Sequence, residues 1–190
     1  MNRRLFMGIA GGLWSATHLA HAHNAVGFVN PPLAPPQTPV QWHNGRTSTL
    51  DAMLTGKVTA LQLMFTGCSA TCPIQGALFA SVQEKLARTK PAIAQAQLIS
   101  FSIDPLSDGP KELRQWLKGF DAGNQWLAAA PSLKALDRFL DFLQGRAQTT
   151  DRHTGQVYFF DPRGQLVLRT VDFPPADLVV QRLKELAARH

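Results

Sequence analysis

Cysteine is scarce in this chain of 190 residues, which contains only two, Cys68 and Cys72. Any disulfide, and any metal site built on thiolates, must therefore use this one pair. The lysines and arginines are scattered, and no run of them alternates with aromatic residues, so nucleic acid is not an expected partner. The sequence also lacks internal repeats, and its length suits one folded domain preceded by a targeting segment.

The first 22 residues have the pattern of a cleaved export signal. Arg3 and Arg4 precede an apolar run over residues 5–20, and Ala20-His21-Ala22 has the small-x-small form of a signal-peptidase site. The two arginines followed by Phe6 also resemble a twin-arginine signal. We therefore predict a periplasmic or otherwise exported protein, whose net charge falls from +6 to +4 because two arginines leave with the signal. Anchoring in the membrane by an uncleaved segment 5–20 is the alternative.

The remaining chain divides into a tether and one domain. Residues 23–39 are predicted to form a proline-rich tether, because five of the ten residues 30–39 are proline. Residues 40–190 alternate between strand and helix patterns, which predicts an α/β domain. The expected elements are a hairpin at 41–49, strands at 57–65, 96–103, 126–129, 156–160 and 166–171, and helices at 73–88, 109–120, 132–144 and 176–188.

This order of elements is typical of a thioredoxin-like fold. A β-α-β half is followed by a connecting helix and a β-β-α half, and the two cysteines stand at the start of the first major helix. A crossover of the usual hand places the first two major strands side by side in one sheet. We therefore predict a central mixed sheet flanked by helices, with an N-terminal extension. Ser107-Asp108 is expected to cap the helix that follows it.

Cys68-Ser69-Ala70-Thr71-Cys72-Pro73 lies where an apolar strand should pass into a helix. Cysteines four apart at a helix start are roughly 6 Å apart at Cα, which allows either a disulfide or shared binding of one soft metal ion. The partial positive charge of a helix N-terminus favours thiolate, the reactive and metal-binding form. A purely structural disulfide is the alternative, but so short a loop gains only about 2 kcal/mol from it.

A histidine is the commonest partner for a metal ion that two thiolates bind. The candidates beyond the export signal are His23, His43, His153 and His190. In a thioredoxin-like topology, the polar loop that carries His153 lies on the same side of the sheet as the start of the first major helix. A lone loop histidine is more often simply exposed to solvent. Two thiolates and an imidazole suit copper, in particular Cu(I), although zinc takes the same donors.

Three segments, in order and at suitable spacing, resemble those of one known family. They are residues 63–73, with LMFTGC and the closing Cys-Pro, residues 100–108, with SFSIDP and a following Asp, and residues 153–164, with His and VYFFDPRG. Over roughly residues 40–190 the chain resembles the Sco/SenC family of copper-binding, thioredoxin-like proteins that help to assemble cytochrome oxidase. The resemblance implies that Cys68, Cys72 and His153 are the copper ligands.

The chain also departs from the pattern of that family. Ser69 and Ala70 stand where the family usually has a proline and often an acidic residue, and Arg152 separates His153 from Asp151. A positive charge next to a bound cation disfavours it, so we expect copper affinity or the delivery target to differ from those of other members.

The sequence therefore predicts one function and leaves one alternative open. The first is an exported copper chaperone, not necessarily an enzyme, that delivers Cu(I) or Cu(II) to cytochrome oxidase or another copper protein. The second is a thiol–disulfide oxidoreductase that uses Cys68 and Cys72 on the cysteines of a partner copper protein. They differ at His153, because a dithiol reductase needs no third metal ligand. Contact with a membrane is expected only if the N-terminal segment is uncleaved.

Overall fold

The computed structural model describes residues 25–89, 93–147 and 152–189. The predicted export signal, His23, Asp151 and His190 lie outside these residues. Within them, no helix combines the length and the apolar character that crossing a membrane requires. The strands are β1 (Gly27–Leu33), β2 (Pro39–Trp42), β3 (Thr47–Thr49), β4 (Val58–Met64), β5 (Ala96–Ser102), β6 (Trp126–Pro131), β7 (Val157–Phe160) and β8 (Leu166–Arg169). The helices are α1 (Leu50–Leu54), α2 (Cys72–Ala87), α3 (Pro110–Gly119), α4 (Leu133–Leu143) and α5 (Ala176–Ala187).

The described strands form one mixed sheet in the order β1-β8-β7-β4-β5-β6-β2-β3. The central pair β4 and β5 is parallel, as the β-α-β pattern predicts, and β7 runs antiparallel to β4 on its other side. The predicted major strands and helices all form, with ends within two residues of the expected ones. The hairpin at 41–49 is also present as β2 and β3, whereas the short helix α1 is not anticipated by the sequence pattern.

Apolar side chains cover both faces of the sheet. All seven residues of β4 are buried, and its side chains alternate between two cores, since successive strand residues point to opposite faces. Phe79 of α2 and Leu183 of α5 belong to one core, and Leu54 of α1 and Phe139 of α4 belong to the other. β4 therefore lies at the centre of the domain, and it fixes the position of the loop that follows Met64 and leads to α2.

The proline-rich segment differs from its prediction. Its extended backbone is found, but residues 27–33 are not a free spacer, because β1 pairs antiparallel with β8 at the edge of the sheet. Thr38 is fully buried, and its carbonyl accepts the N–H of Leu50. An edge strand tolerates proline, since the missing N–H can face away from the neighbouring strand. Proline content alone therefore does not exclude a segment from the sheet.

Candidate metal and dithiol site

The cysteine segment begins at the carboxyl end of β4. Cys72 is the first residue of α2 and is completely buried, whereas Cys68 lies in the preceding loop and is partly exposed. The N–H of Cys68 donates to the carbonyl of Phe65 at 3.1 Å. The N–H of Cys72 in turn points at Sγ of Cys68, 3.4 Å away. The loop therefore places one sulfur inside the core and the other at its surface.

His153 approaches the cysteines from the other half of the chain. The pairing of Gln62 with Val157 puts the start of β7 next to the end of β4, so the residues just before β7 reach the cysteine loop. Nε2 of His153 lies 3.5 Å from Sγ of Cys72, and the imidazole is only 4% exposed. The structure thus brings together two of the three predicted site residues, although 81 positions separate them.

The hydrogen bonds of His153 fix its tautomer. Nδ1 lies 2.8 Å from the carbonyl oxygen of Thr154, which can only accept, so Nδ1 carries a proton, and in the neutral imidazole Nε2 keeps its lone pair. The Thr154 hydroxyl is 2.6 Å from that of Tyr158, and the Thr154 N–H donates to Gly145. A histidine that ligates a metal usually donates its other N–H in this way, to a carbonyl or a carboxylate. The available nitrogen therefore faces the buried sulfur.

The two thiols have opposite acidities. Burial is the largest single influence on the pKa of Cys68 and raises it, but the hydrogen bonds from Cys72, Ala70 and Thr71 together outweigh burial and lower this pKa to about 7 from the usual 9.0. Burial and then the hydrogen bond with Cys68 raise the pKa of Cys72 to about 12. The thiolate expected at the helix N-terminus is thus favoured at Cys68 only. At Cys72 the loss of solvent, which raises the pKa, outweighs the effect of the helix N-terminus, which would lower it.

The side chains of Cys68, Cys72 and His153 do not converge on one point in this structure. Among the described residues, no three His, Cys, Asp or Glu side chains are gathered closely enough to hold a metal. Both cysteines are free thiols, and Sγ of Cys68 is directed to the amide of Cys72. The chemistry of the set still fits a soft cation, because two sulfurs and a neutral imidazole nitrogen are the donors that such ions prefer.

Asp108 anchors the cysteine loop, a role that the sequence does not reveal. Its carboxylate accepts hydrogen bonds from the backbone N–H and the hydroxyl of Thr66 and from the Ser102 hydroxyl. The predicted capping of α3 is wrong, because Gly109 occupies the cap position and no side chain caps the helix. Asp108 is 1% exposed, so its tertiary contacts replace the local bond that a helix cap would make.

Arg152 and His43, two further residues considered from the sequence, both have polar partners in the structure. The Arg152 guanidinium pairs with Asp104 at 3.3 Å and lies over the Phe65 ring, 4.7 Å from its centroid. A nearby carboxylate therefore balances the positive charge expected beside the metal. His43 follows β2. Its Nδ1 contacts the carbonyl oxygen of Ala128, and its own carbonyl accepts a hydrogen bond from the Arg114 guanidinium. No signal in the local sequence identifies Phe65 as a neighbour of His153, or Asp104 as the partner of Arg152.

Comparisons with known proteins show which sequences and solved structures the chain resembles. A family model described as SCO1/SenC matches residues 40–188. The "SCO1 protein homolog" of Bacillus subtilis (strain 168) is 32% identical over 80 residues, which are 42% of this chain and 39% of that protein. The chain thus matches only about two fifths of the length of this curated relative.

Solved structures share the fold. A SCO1/SenC family lipoprotein from Bacillus anthracis str. Ames superposes with a TM-score of 0.70 at 23% identity, covering 84% of this chain and 99% of that one. Yeast Sco1 with copper bound gives a TM-score of 0.69 at 17% identity, covering 84% and 91%. The predicted α/β, thioredoxin-like architecture is confirmed.

Proposed function

Because the chain belongs to the SCO1/SenC family, whose model matches residues 40–188, we propose that it is an exported copper chaperone. Cys68, Cys72 and His153 bind the copper ion, which is the cargo, and the protein passes it to cytochrome oxidase or to another copper protein. The copper bound to yeast Sco1 supports this choice of metal.

The approach of His153 to Cys72 is the observation that carries the proposal. The imidazole of His153 and the sulfur of Cys72 are both buried and face each other through Nε2 and Sγ. These two ligands are therefore already side by side in the metal-free protein. Because the thiol of Cys72 has its pKa raised to about 12, binding of a cation must displace its proton. Copper(I) competes well for thiolate, which supports a copper site over a magnesium or calcium site.

Cys68 is the ligand through which transfer takes place in this proposal. Its sulfur must leave the amide of Cys72 to join the other two donors. Its neighbours Gly67, Ser69 and Ala70 are exposed, so a partner's ligand approaches the ion from this side. Cys72 and His153, which are buried, hold the ion while the exchange proceeds. A soft ion with an accessible, mobile ligand exchanges between proteins without being released to water.

The N-terminal residues give the proposed location. Residues 1–22 direct export to the periplasm, and membrane contact through uncleaved residues 5–20 is the alternative, as the sequence indicates. In an oxidising compartment the two thiols need reduction before they bind Cu(I). The partner is therefore a copper-receiving protein, such as an oxidase subunit, in the same compartment.

Copper binding to the reduced mature protein tests the proposal. Wild type is compared with His153→Ala, with Cys68→Ser plus Cys72→Ser, and with His43→Ala as the matched histidine control. We expect about one Cu(I) per chain in wild type and in His43→Ala, loss of copper in the double cysteine variant, and at least tenfold weaker binding in His153→Ala. Equal binding by His153→Ala and wild type would remove His153 from the site and refute the proposal.

The difference between the two thiols favours a second candidate, thiol–disulfide exchange. The Cys68 thiolate attacks a partner disulfide and forms a mixed disulfide, releasing one partner thiolate; the Cys72 thiol, after losing its proton, then displaces the second. The partner gains two thiols, and the Cys68–Cys72 pair becomes a disulfide. This activity needs no third metal ligand, so His153→Ala should still reduce a model disulfide such as oxidised glutathione, whereas Cys68→Ser should not.

A further inference from the structure

We propose that Arg152 is a positioning residue, which stacks on Phe65 and pairs with Asp104 to hold the His153 imidazole toward Cys72 and thereby slows copper release. The inference rests on the proposed function. It assigns a role to the residue whose charge, considered alone, should repel a bound cation.

Phe65 is in contact with two successive side chains of the histidine segment. The Arg152 guanidinium lies over its ring face, and the His153 imidazole meets the same ring at an interplanar angle of 88°, with the centroids 6.1 Å apart. The Phe65 carbonyl accepts the N–H of Cys68. Phe65 therefore contacts the backbone of the first cysteine through its carbonyl and the side chain of the histidine through its ring, and Arg152 covers that ring.

Asp104 gives Arg152 a fixed support. The Asp104 N–H donates to the Ser102 hydroxyl at 2.9 Å, and the Asp104 carbonyl accepts the N–H groups of Ser107 and Asp108. Ser102 also donates to the carboxylate of Asp108, which holds Thr66 in the cysteine loop. The Arg152–Asp104 ion pair thus connects the histidine segment to the cysteine loop through the hydrogen bonds of Ser102 and Asp108.

The value of this contact lies in orientation more than in stability. The Arg152 side chain is 51% exposed and that of Asp104 is 27% exposed, and ion pairs of this kind contribute little to unfolding free energy. Holding a ligand in its binding orientation, however, lowers the entropy that binding must remove, and this appears as tighter binding and slower release. The Asp104 carboxylate also offsets the guanidinium charge, so the positioning does not introduce an uncompensated cation.

The test compares Arg152→Gln, Arg152→Lys and Asp104→Asn with Arg88→Gln, which removes an exposed arginine paired with Glu84 on α2. The first readout is the nuclear Overhauser effect between the rings of Phe65 and His153 in the reduced, copper-free protein. The second is the rate at which a Cu(I) chelator removes copper from the loaded protein. Unfolding midpoints in urea should stay close to the wild-type value for all four variants, since each removes or weakens one ion pair between side chains that solvent reaches.

We expect Arg152→Gln and Asp104→Asn to weaken the ring-to-ring signal and to speed copper release at least about threefold. Arg152→Lys, which keeps the charge but not the planar stacking, should lie between them and wild type, and Arg88→Gln should match wild type. Wild-type signals and release rates in Arg152→Gln would overturn the inference, as would a weakened signal with unchanged release. If wild type binds no copper, the proposed function fails, and an unchanged ring-to-ring signal then overturns the positioning separately.

Discussion

Sγ of Cys72 lies 3.5 Å from Nε2 of His153, and the antiparallel pairing of β4 with β7 is what brings them together. The cysteine segment leaves the sheet where β4 ends, and the histidine segment enters it where β7 begins. Two donors from distant parts of the chain therefore meet beyond the ends of two neighbouring interior strands. A change that leaves this pairing intact should alter the chemistry of the site without altering the fold.

The first prediction concerns thiol reactivity in the reduced, metal-free protein. The pKa of Cys68 is about 7 and that of Cys72 is about 12, so iodoacetamide should modify Cys68 first. The rate should rise with pH as the Cys68 thiolate forms, with a midpoint near 7, two units below the usual value of 9.0. Mass spectrometry after brief labelling from pH 5 to 9 measures both rates. Preferential labelling of Cys72 would contradict the assignment.

The second prediction concerns the buried carboxylate of Asp108. Asp108→Ala removes the acceptor of the Thr66 N–H and of two hydroxyls, and should lower the free energy of unfolding by about 3 kcal/mol. Asp177→Ala is the control, since it removes an exposed carboxylate paired with Lys85, and should cost less than about 1 kcal/mol. Urea denaturation measures both. Equal, small losses would show that Asp108 does not anchor the loop.

The third prediction concerns the fit of α2 against α3, one turn beyond Cys72. A Cβ at Gly76 would lie 2.1 Å from the Phe120 ring, so Gly76→Ala should destabilise the fold by about 1–3 kcal/mol. At Gly119 a Cβ meets nothing within 4 Å, and Gly119→Ala should be neutral or slightly stabilising. In a Phe120→Ala background the cost of Gly76→Ala should largely vanish. A cost that persists there would refute the steric explanation.

The local pattern was enough to predict most of the fold. Helices and central strands could be predicted because their periodicity and turn residues lie within a few positions of one another. β1 could not, since its prolines argue against a strand until the position at the sheet edge is known. The five residues of α1 are too few to show a helical period.

The site was predictable to a different degree at each residue. Cys68 and Cys72 stand out because no other cysteine competes with them. Among the four candidate histidines, the expected topology places only the loop of His153 beside the cysteines, and the resemblance to a family then selects it as a ligand. Asp108 was misread as a helix cap, and the contacts of Arg152 were not foreseen, because both depend on pairings between separate strands and loops. Local sequence does not encode such contacts.

X-ray absorption at the copper edge, on the mature protein loaded with one Cu(I), identifies the ligands of the ion. We expect two sulfur ligands and one imidazole nitrogen, with the imidazole scattering absent from His153→Ala and retained in His43→Ala. A copper ion surrounded by sulfur alone, or an imidazole signal that survives in His153→Ala, would show that Cys68, Cys72 and His153 are not the copper ligands.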